Sequence, residues 1–238
     1  MIGIDKKALQ LNSRFTLPPN SLGYCGKDSA PEKFKDCVIK GKCAGVEEEF
    51  KHFIVLHPYL RTLSKITGLP KFSYKVVESY WLGNDKLLKA KNKDYPTLLN
   101  FFVKQGVPEW FVAELKKSKP NKFIPTHLFQ VLHVGVGRAS GSVPYNLESI
   151  NNCMIRWGKV EKVNRKTAVV NLNSLKKVRG GYKRTLITET FPFVEGFVPD
   201  LKVGDTVTVH WKQIVKILSE EEIEKITFWT DKVLESIG

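Results

Sequence analysis

No apolar run in the 238 residues approaches the ~18 that a bilayer-crossing helix requires. The opening Met1-Ile2-Gly3-Ile4-Asp5-Lys6-Lys7 lacks the apolar centre and cleavage site of a secretion signal, which leads to the expectation of a cytoplasmic protein without a membrane role. There is no internal repeat and no low-complexity tract, which argues against solenoids and disordered arrays. Also missing are a Ser-His-Asp set, paired carboxylates at diagnostic spacing and a nucleotide-cofactor fingerprint, so nothing argues for an enzyme. Cysteine is scarce: Cys25, Cys37, Cys43 and Cys153 are the only four. In a cytosolic chain so few thiols do not suggest a disulfide framework, and individual reactive or metal-binding thiols are expected instead.

What is present is an ordinary globular composition, 42% hydrophobic and 26% charged, with an excess of positive charge. The formal charge is +14; residues 1–150 hold 23 basic and 13 acidic residues (+10), and residues 151–238 hold 15 and 11 (+4). A positive field of this size permits a nucleic-acid or acidic partner without demanding one.

The first 150 residues read as a helical domain. Apolar residues recur at helical spacing from Phe50 to Leu63, with Glu47, Glu48 and Glu49 suited to a helix start, Pro58 to a kink or restart, and Gly68 to an end. Ser73–Leu82, Tyr95–Val103 and Pro108–Leu115 repeat the pattern, with Pro96 and Pro108 in first-turn positions. Thr126–Val134 reads as a further helix or buried run carrying His127 and His133, for which a core or surface role is expected rather than ligation. The Gly- and Ser-rich stretch from Val134 to Pro144 reads as a loop near the domain boundary, placed to wrap the junction near Cys153.

Beyond Cys153 the period changes to alternation, over Met154–Val163, Thr167–Leu172, Thr185–Phe191 and one long final strand Thr206–Ile217. Short strands separated by turns suggest a small closed barrel. Ser219-Glu220-Glu221-Glu222 is a capping box, and the helix after it carries Ile223, Ile226, Phe228, Val233, Leu234 and Ile237 toward the barrel. The fold class expected is α+β: an all-α N-terminal domain, residues 1–150, then an OB-like β-barrel with a C-terminal helix, residues 151–238.

Two stretches carry a family signal. Cys153-Met154-Ile155-Arg156-Trp157-Gly158-Lys159-Val160 resembles the opening of the HypC/HupF-type chaperones that mature nickel–iron hydrogenases. Val203-Gly204-Asp205-Thr206-Val207-Thr208-Val209-His210, followed by Ser219 to Glu222, resembles their last strand, with its histidine, and their acidic helix start. The whole chain also resembles an uncharacterised family with a helical N-terminal domain and a HypC-like barrel. The resemblance implies a maturation protein that binds the hydrogenase large subunit or a maturation scaffold protein. It would hold transiently an iron bearing small ligands, with Cys153 and His210 as metal residues. In the chaperones that cysteine is N-terminal, whereas here about 150 residues precede it.

Other candidates stand beside these. Leu22-Gly23-Tyr24-Cys25-Gly26 puts a thiol between glycines, where backbone or ligand can approach closely. Tyr24, Cys25 and Gly26, with Trp157 and Trp211, form the expected partner or ligand surface. Cys37 and Cys43 with His52 and His57 are off the spacing of structural zinc sites. The densest basic patch, Lys176, Lys177, Arg179, Lys183 and Arg184 around Tyr182, reads as a barrel loop, and a solvated hairpin tip is the favoured reading. It is the site for the alternative function, a basic RNA- or ribosome-associated barrel protein.

Overall fold

A computed structural model describes residues 5–237. Met1 to Ile4 of the opening stretch and Gly238 at the end of the second part lie outside the described residues.

The N-terminal part is helical, and two helices precede the first one read from periodicity. Helix α1, Lys6–Ser21, is capped by Asp5, whose carboxylate accepts from Lys7 N and Ala8 N. Pro18 and Pro19 lie inside its last turn and supply no amide hydrogen to the carbonyls four residues back, those of Arg14 and Phe15. Helix α2, Pro31–Lys40, starts on a proline and ends at Gly41 in the left-handed conformation.

The helix expected over Phe50–Leu63 is two: α3, Val46–Phe50, and α4, Leu56–Thr67. Pro58 sits in the first turn of α4, where a missing amide costs nothing, and Gly68 closes it. Then follow α5, Tyr74–Trp81; α6, Tyr95–Gln105; α7, Glu109–Lys117; and the short α8, His127–Phe129, which runs into a π-helical turn, Gln130–Gly135. Helix α9, Leu147–Cys153, is capped by Asn146, so Cys153 ends a helix instead of opening a strand.

The second part is an antiparallel five-stranded sheet of order β3-β2-β1-β4-β5: β1, Arg156–Val163; β2, Thr167–Val178; β3, Gly181–Pro192; β4, Thr206–His210; β5, Gln213–Ile217. The sheet is open. Its edge strands β3 and β5 approach one another at a single isolated bridge, Phe193 to Ile214. The single final strand expected over Thr206–Ile217 is a hairpin, folded at Trp211 and Lys212, which both have positive φ (+46° and +61°). Neither residue is a usual choice for that turn, so composition does not reveal it.

The basic stretch is likewise not a loop. Lys176, Lys177, Lys183 and Arg184 belong to β2 and β3, and only Arg179 is in the turn between them.

The sheet encloses an apolar cluster including Val160, Val170, Leu172, Phe191, Val207 and Ile214. A larger cluster runs from Ala8 to Val233 and takes in Cys153, Ile155, Trp157, Trp211 and Val215, so the two parts share one core. Arg14 of α1 ties the seam, donating to the Phe197 carbonyl at 2.5 Å and the Val215 carbonyl at 3.1 Å.

The last helix, α10, Glu220–Ile237, carries the capping box as read: Glu222 N donates to Ser219 Oγ and Ser219 N to the Glu222 carboxylate. It packs against both parts. Asp231 pairs with Arg184 of β3, while Lys225 reaches Glu78 of α5. Trp229, and not the exposed Phe228, is its buried aromatic, and its ring lies where a Cβ on Gly83 would be (2.3 Å).

Candidate metal centre

The seam between helices and sheet holds a cavity of about 520 Å³. Three side chains from distant elements meet at its wall: His127 at the start of α8, Cys153 at the end of α9, and His210 at the end of β4. One donor atom from each lies within 4.8 Å of the other two, and all three residues are buried. Nε2 of His127 is 3.9 Å from Cys153 Sγ.

His210 is oriented by a specific device. Its Nδ1 is 2.6 Å from the Phe15 carbonyl oxygen. That oxygen can only accept, so Nδ1 carries the proton and Nε2 presents its lone pair. The oxygen is available because its helical partner position is Pro19, which has no amide hydrogen. A ring nitrogen fixed by a backbone carbonyl is the arrangement that orients metal-ligating histidines. Nε2 of His210 and Nδ1 of His127 are both buried without a hydrogen-bond partner. Buried polar nitrogens left unpaired are rare enough to need a reason.

The approach of these groups follows from local structure. Thr126 Oγ1 accepts from Phe129 N, setting the start of α8 and the aim of His127. Trp211 N donates to the Asn152 carbonyl (2.7 Å), stapling the β4–β5 turn to the end of α9 and so His210 to Cys153. Aromatic rings close the back of the site. Trp81 stands 4.6 Å from His127 and 5.8 Å from His210, and its indole is held by a 2.6 Å bond to Asn12 Oδ1.

This enclosure sets the protonation states. Burial pulls His210 down to about 3 and His127 well below its ordinary value, so both imidazoles are neutral near pH 7, the form that binds metals. Burial, with the Cys25 thiol adding to it, pushes the Cys153 thiol well above its ordinary value. A buried protonated thiol is a poor nucleophile, whereas a bound cation would favour its thiolate. One sulfur and two imidazoles form a borderline-soft set suited to iron, cobalt or zinc, with no carboxylate to attract magnesium or calcium. The donors, with the unpaired Nε2 of His210, therefore fit such an ion.

Cys25 lies on the cavity wall with Tyr24 and Gly26, in a loop held by Asn20 Nδ2, which donates to the Cys25 and Lys27 carbonyls at 2.7 and 2.9 Å. Gly26 has φ +81°, and a Cβ there would lie 2.7 Å from the Phe53 ring, so glycine is required. The Tyr24 ring packs 4.6 Å from Trp211, which also lines the cavity. Trp157 does not join this group: it is buried on β1 under the Arg184 guanidinium, away from the cavity. Residues of the loop Gly135–Val143 line the same cavity.

The other cysteines correct the expectation of free thiols. Cys37 and Cys43 form a disulfide between α2 and the loop after it, so neither is a ligand. His57 is engaged by Gln105 and Lys71, and only His52 of that group reaches the cavity. His127, expected in a core or surface role, is the member of the cluster that sequence missed. The one local sign was Thr126 as its N-cap, and the freed carbonyl opposite Pro19 was a second unread clue.

In the basic patch, Arg184 is committed to Asp231 by two bonds of 2.8 and 2.9 Å, and Lys176 stands directly across the hairpin from Lys183. No helix among the described residues is long and apolar enough to cross a membrane.

Fold and site together define an α+β protein whose helical and sheet parts clasp a buried two-histidine, one-cysteine centre. The chain belongs to the family described as "Family of unknown function (DUF6390)", which it matches over residues 5–238. Neither the curated proteins nor the solved structures contain a match to it.

Proposed function

We propose that this protein is a cytoplasmic accessory protein of nickel–iron hydrogenase maturation, a carrier and not an enzyme. Its cargo would be an iron bearing small ligands, received from a maturation scaffold and delivered to the hydrogenase large subunit. The observation that carries this reading is the meeting of Cys153 and His210 at one cavity. These are the two residues that the likeness to HypC/HupF-type chaperones singles out, and each reaches the seam from a different element. A thiolate with neutral imidazole suits soft iron. The cavity leaves room for ligands that the protein does not supply. The near approach of β3 and β5 at Phe193 and Ile214 supports an OB-like barrel as the ancestral form of the sheet. The cavity mouth, with Tyr24, Cys25 and Gly26, is the surface for the partner protein.

The test is replacement of Cys153 by Ala, and separately of His210 by Gln, in the native host. Hydrogenase activity should fall to background with the protein still present at normal abundance. Retained activity in both strains removes the maturation reading.

A further inference from the structure

The resemblance supplies only two metal residues, Cys153 and His210. The helical part changes this. We infer that His127 is a third protein donor, so that one chain alone holds a late first-row divalent metal through His127, Cys153 and His210. This deepens the maturation reading and rests on it for the cargo, though not for the donors.

Three observations carry the inference. First, the spacing is close to what a metal needs. A tetrahedral ion with bonds of about 2.0–2.3 Å sets its donors about 3.3–3.7 Å apart. His127 Nε2 and Cys153 Sγ are 3.9 Å apart, and no donor in the set is more than 4.8 Å from another, so rotamer adjustment closes the site. Second, His210 Nε2 is buried without a partner, a state a bound cation would relieve, and His127 turns its Nε2 toward the Cys153 sulfur. Third, His210 is held through Nδ1 by the Phe15 carbonyl that Pro19 frees, which is support of the kind ligating histidines receive.

Three donors would leave one tetrahedral position for a further ligand, and all three residues line the cavity. Open sites of this sort bind exchangeable ligands, unlike closed structural ones. On binding, the Cys153 S–H bond breaks, its proton leaves to solvent, and the sulfur lone pair forms the bond to the cation. The ion changes no oxidation state, so no oxidant or reductant is needed.

The experiment uses the full chain, stripped of metal by a chelator under anaerobic conditions and titrated with cobalt(II) chloride. One equivalent should bind, with a near-ultraviolet thiolate-to-cobalt band and visible bands of a tetrahedral ion. Cys153→Ser should abolish the first band, and His127→Ala should weaken binding by about tenfold or more. His133→Ala, a histidine outside the cavity, should leave both unchanged. X-ray absorption on the cobalt-loaded wild type counts the donors without any variant: two imidazoles and one sulfur are expected. A single imidazole, or a folded wild type that shows no thiolate band, overturns the inference.

The two readings fail separately. Cobalt bound by all three residues, in a host whose hydrogenase ignores Cys153→Ala and His210→Gln, keeps the site and removes the pathway. Hydrogenase that needs Cys153 and His210, with cobalt binding indifferent to His127→Ala, keeps the pathway and removes the third donor.

Discussion

The interior of the sheet and the seam between sheet and helices are both buried, yet they are built on opposite terms. The sheet interior is mainly apolar: Val160, Val170, Leu172, Phe191, Val207 and Ile214 fill it, with the Arg156 guanidinium over the Phe191 ring as the polar exception. The seam holds polar atoms that lack partners, on Asn12, Ser13, Asn20, His127, His210 and Trp211. Burying a polar group unpaired costs roughly 1–3 kcal/mol, so a region with several such groups is kept for something other than stability. The difference separates the part that holds the fold from the part proposed to hold a ligand.

The largest effect is expected on the side that holds the fold. Phe191→Ala removes a ring from the sheet core and should cost about 3–5 kcal/mol, read as a lower urea midpoint with unchanged slope. Gly83→Ala comes next. The backbone there has φ +82°, and the new Cβ would meet the Trp229 ring at 2.3 Å, so α10 must shift; a loss of about 2 kcal/mol should appear in thermal melts.

On the seam the sign should reverse. His127→Leu replaces a buried ring nitrogen that has no partner with hydrocarbon, and the metal-free protein should be unchanged or stabler by about 1 kcal/mol while losing cobalt binding. A marked loss of stability would mean that the two regions do not differ as described.

The smallest effect is a pH dependence. Burial pulls His133 down to about 4, and its Nε2 lies 2.9 Å from the Tyr95 hydroxyl. Unfolded, the same ring titrates near 6.5. Between those values the unfolded chain binds the proton that the folded chain refuses, so stability should fall as pH drops from about 6.5 toward about 4. His133→Gln should make that part of the curve shallower in denaturation at stepped pH, leaving the slope due to the buried His127 and His210, and an unchanged slope would assign the acid sensitivity to those groups.

Much of this was visible from residues and their spacing. The capping box of α10, the prolines and glycines bounding α4 and α6, and the shift from helical to alternating period at Cys153 are local effects, decided within a turn or two. The hairpin at Trp211 and Lys212 was not visible, because two non-glycine residues take the left-handed conformation there and no Asn-Gly signal marks it. The disulfide was hidden for a different reason. Whether Cys37 and Cys43 meet depends on how the chain returns after α2, and composition carries no trace of that.

By itself the sequence determined the two kinds of secondary structure and their order, because propensity, capping and period act between near neighbours; Cys153 and His210 were singled out only by the resemblance to the HypC/HupF-type chaperones. Only the tertiary structure decided that His127 stands beside them, that Pro19 releases a carbonyl for His210, and that Trp81 packs against both histidines. Those facts depend on the meeting of α1, α5, α8, α9 and β4, which buries apolar surface from all of them at once. No single segment encodes that meeting.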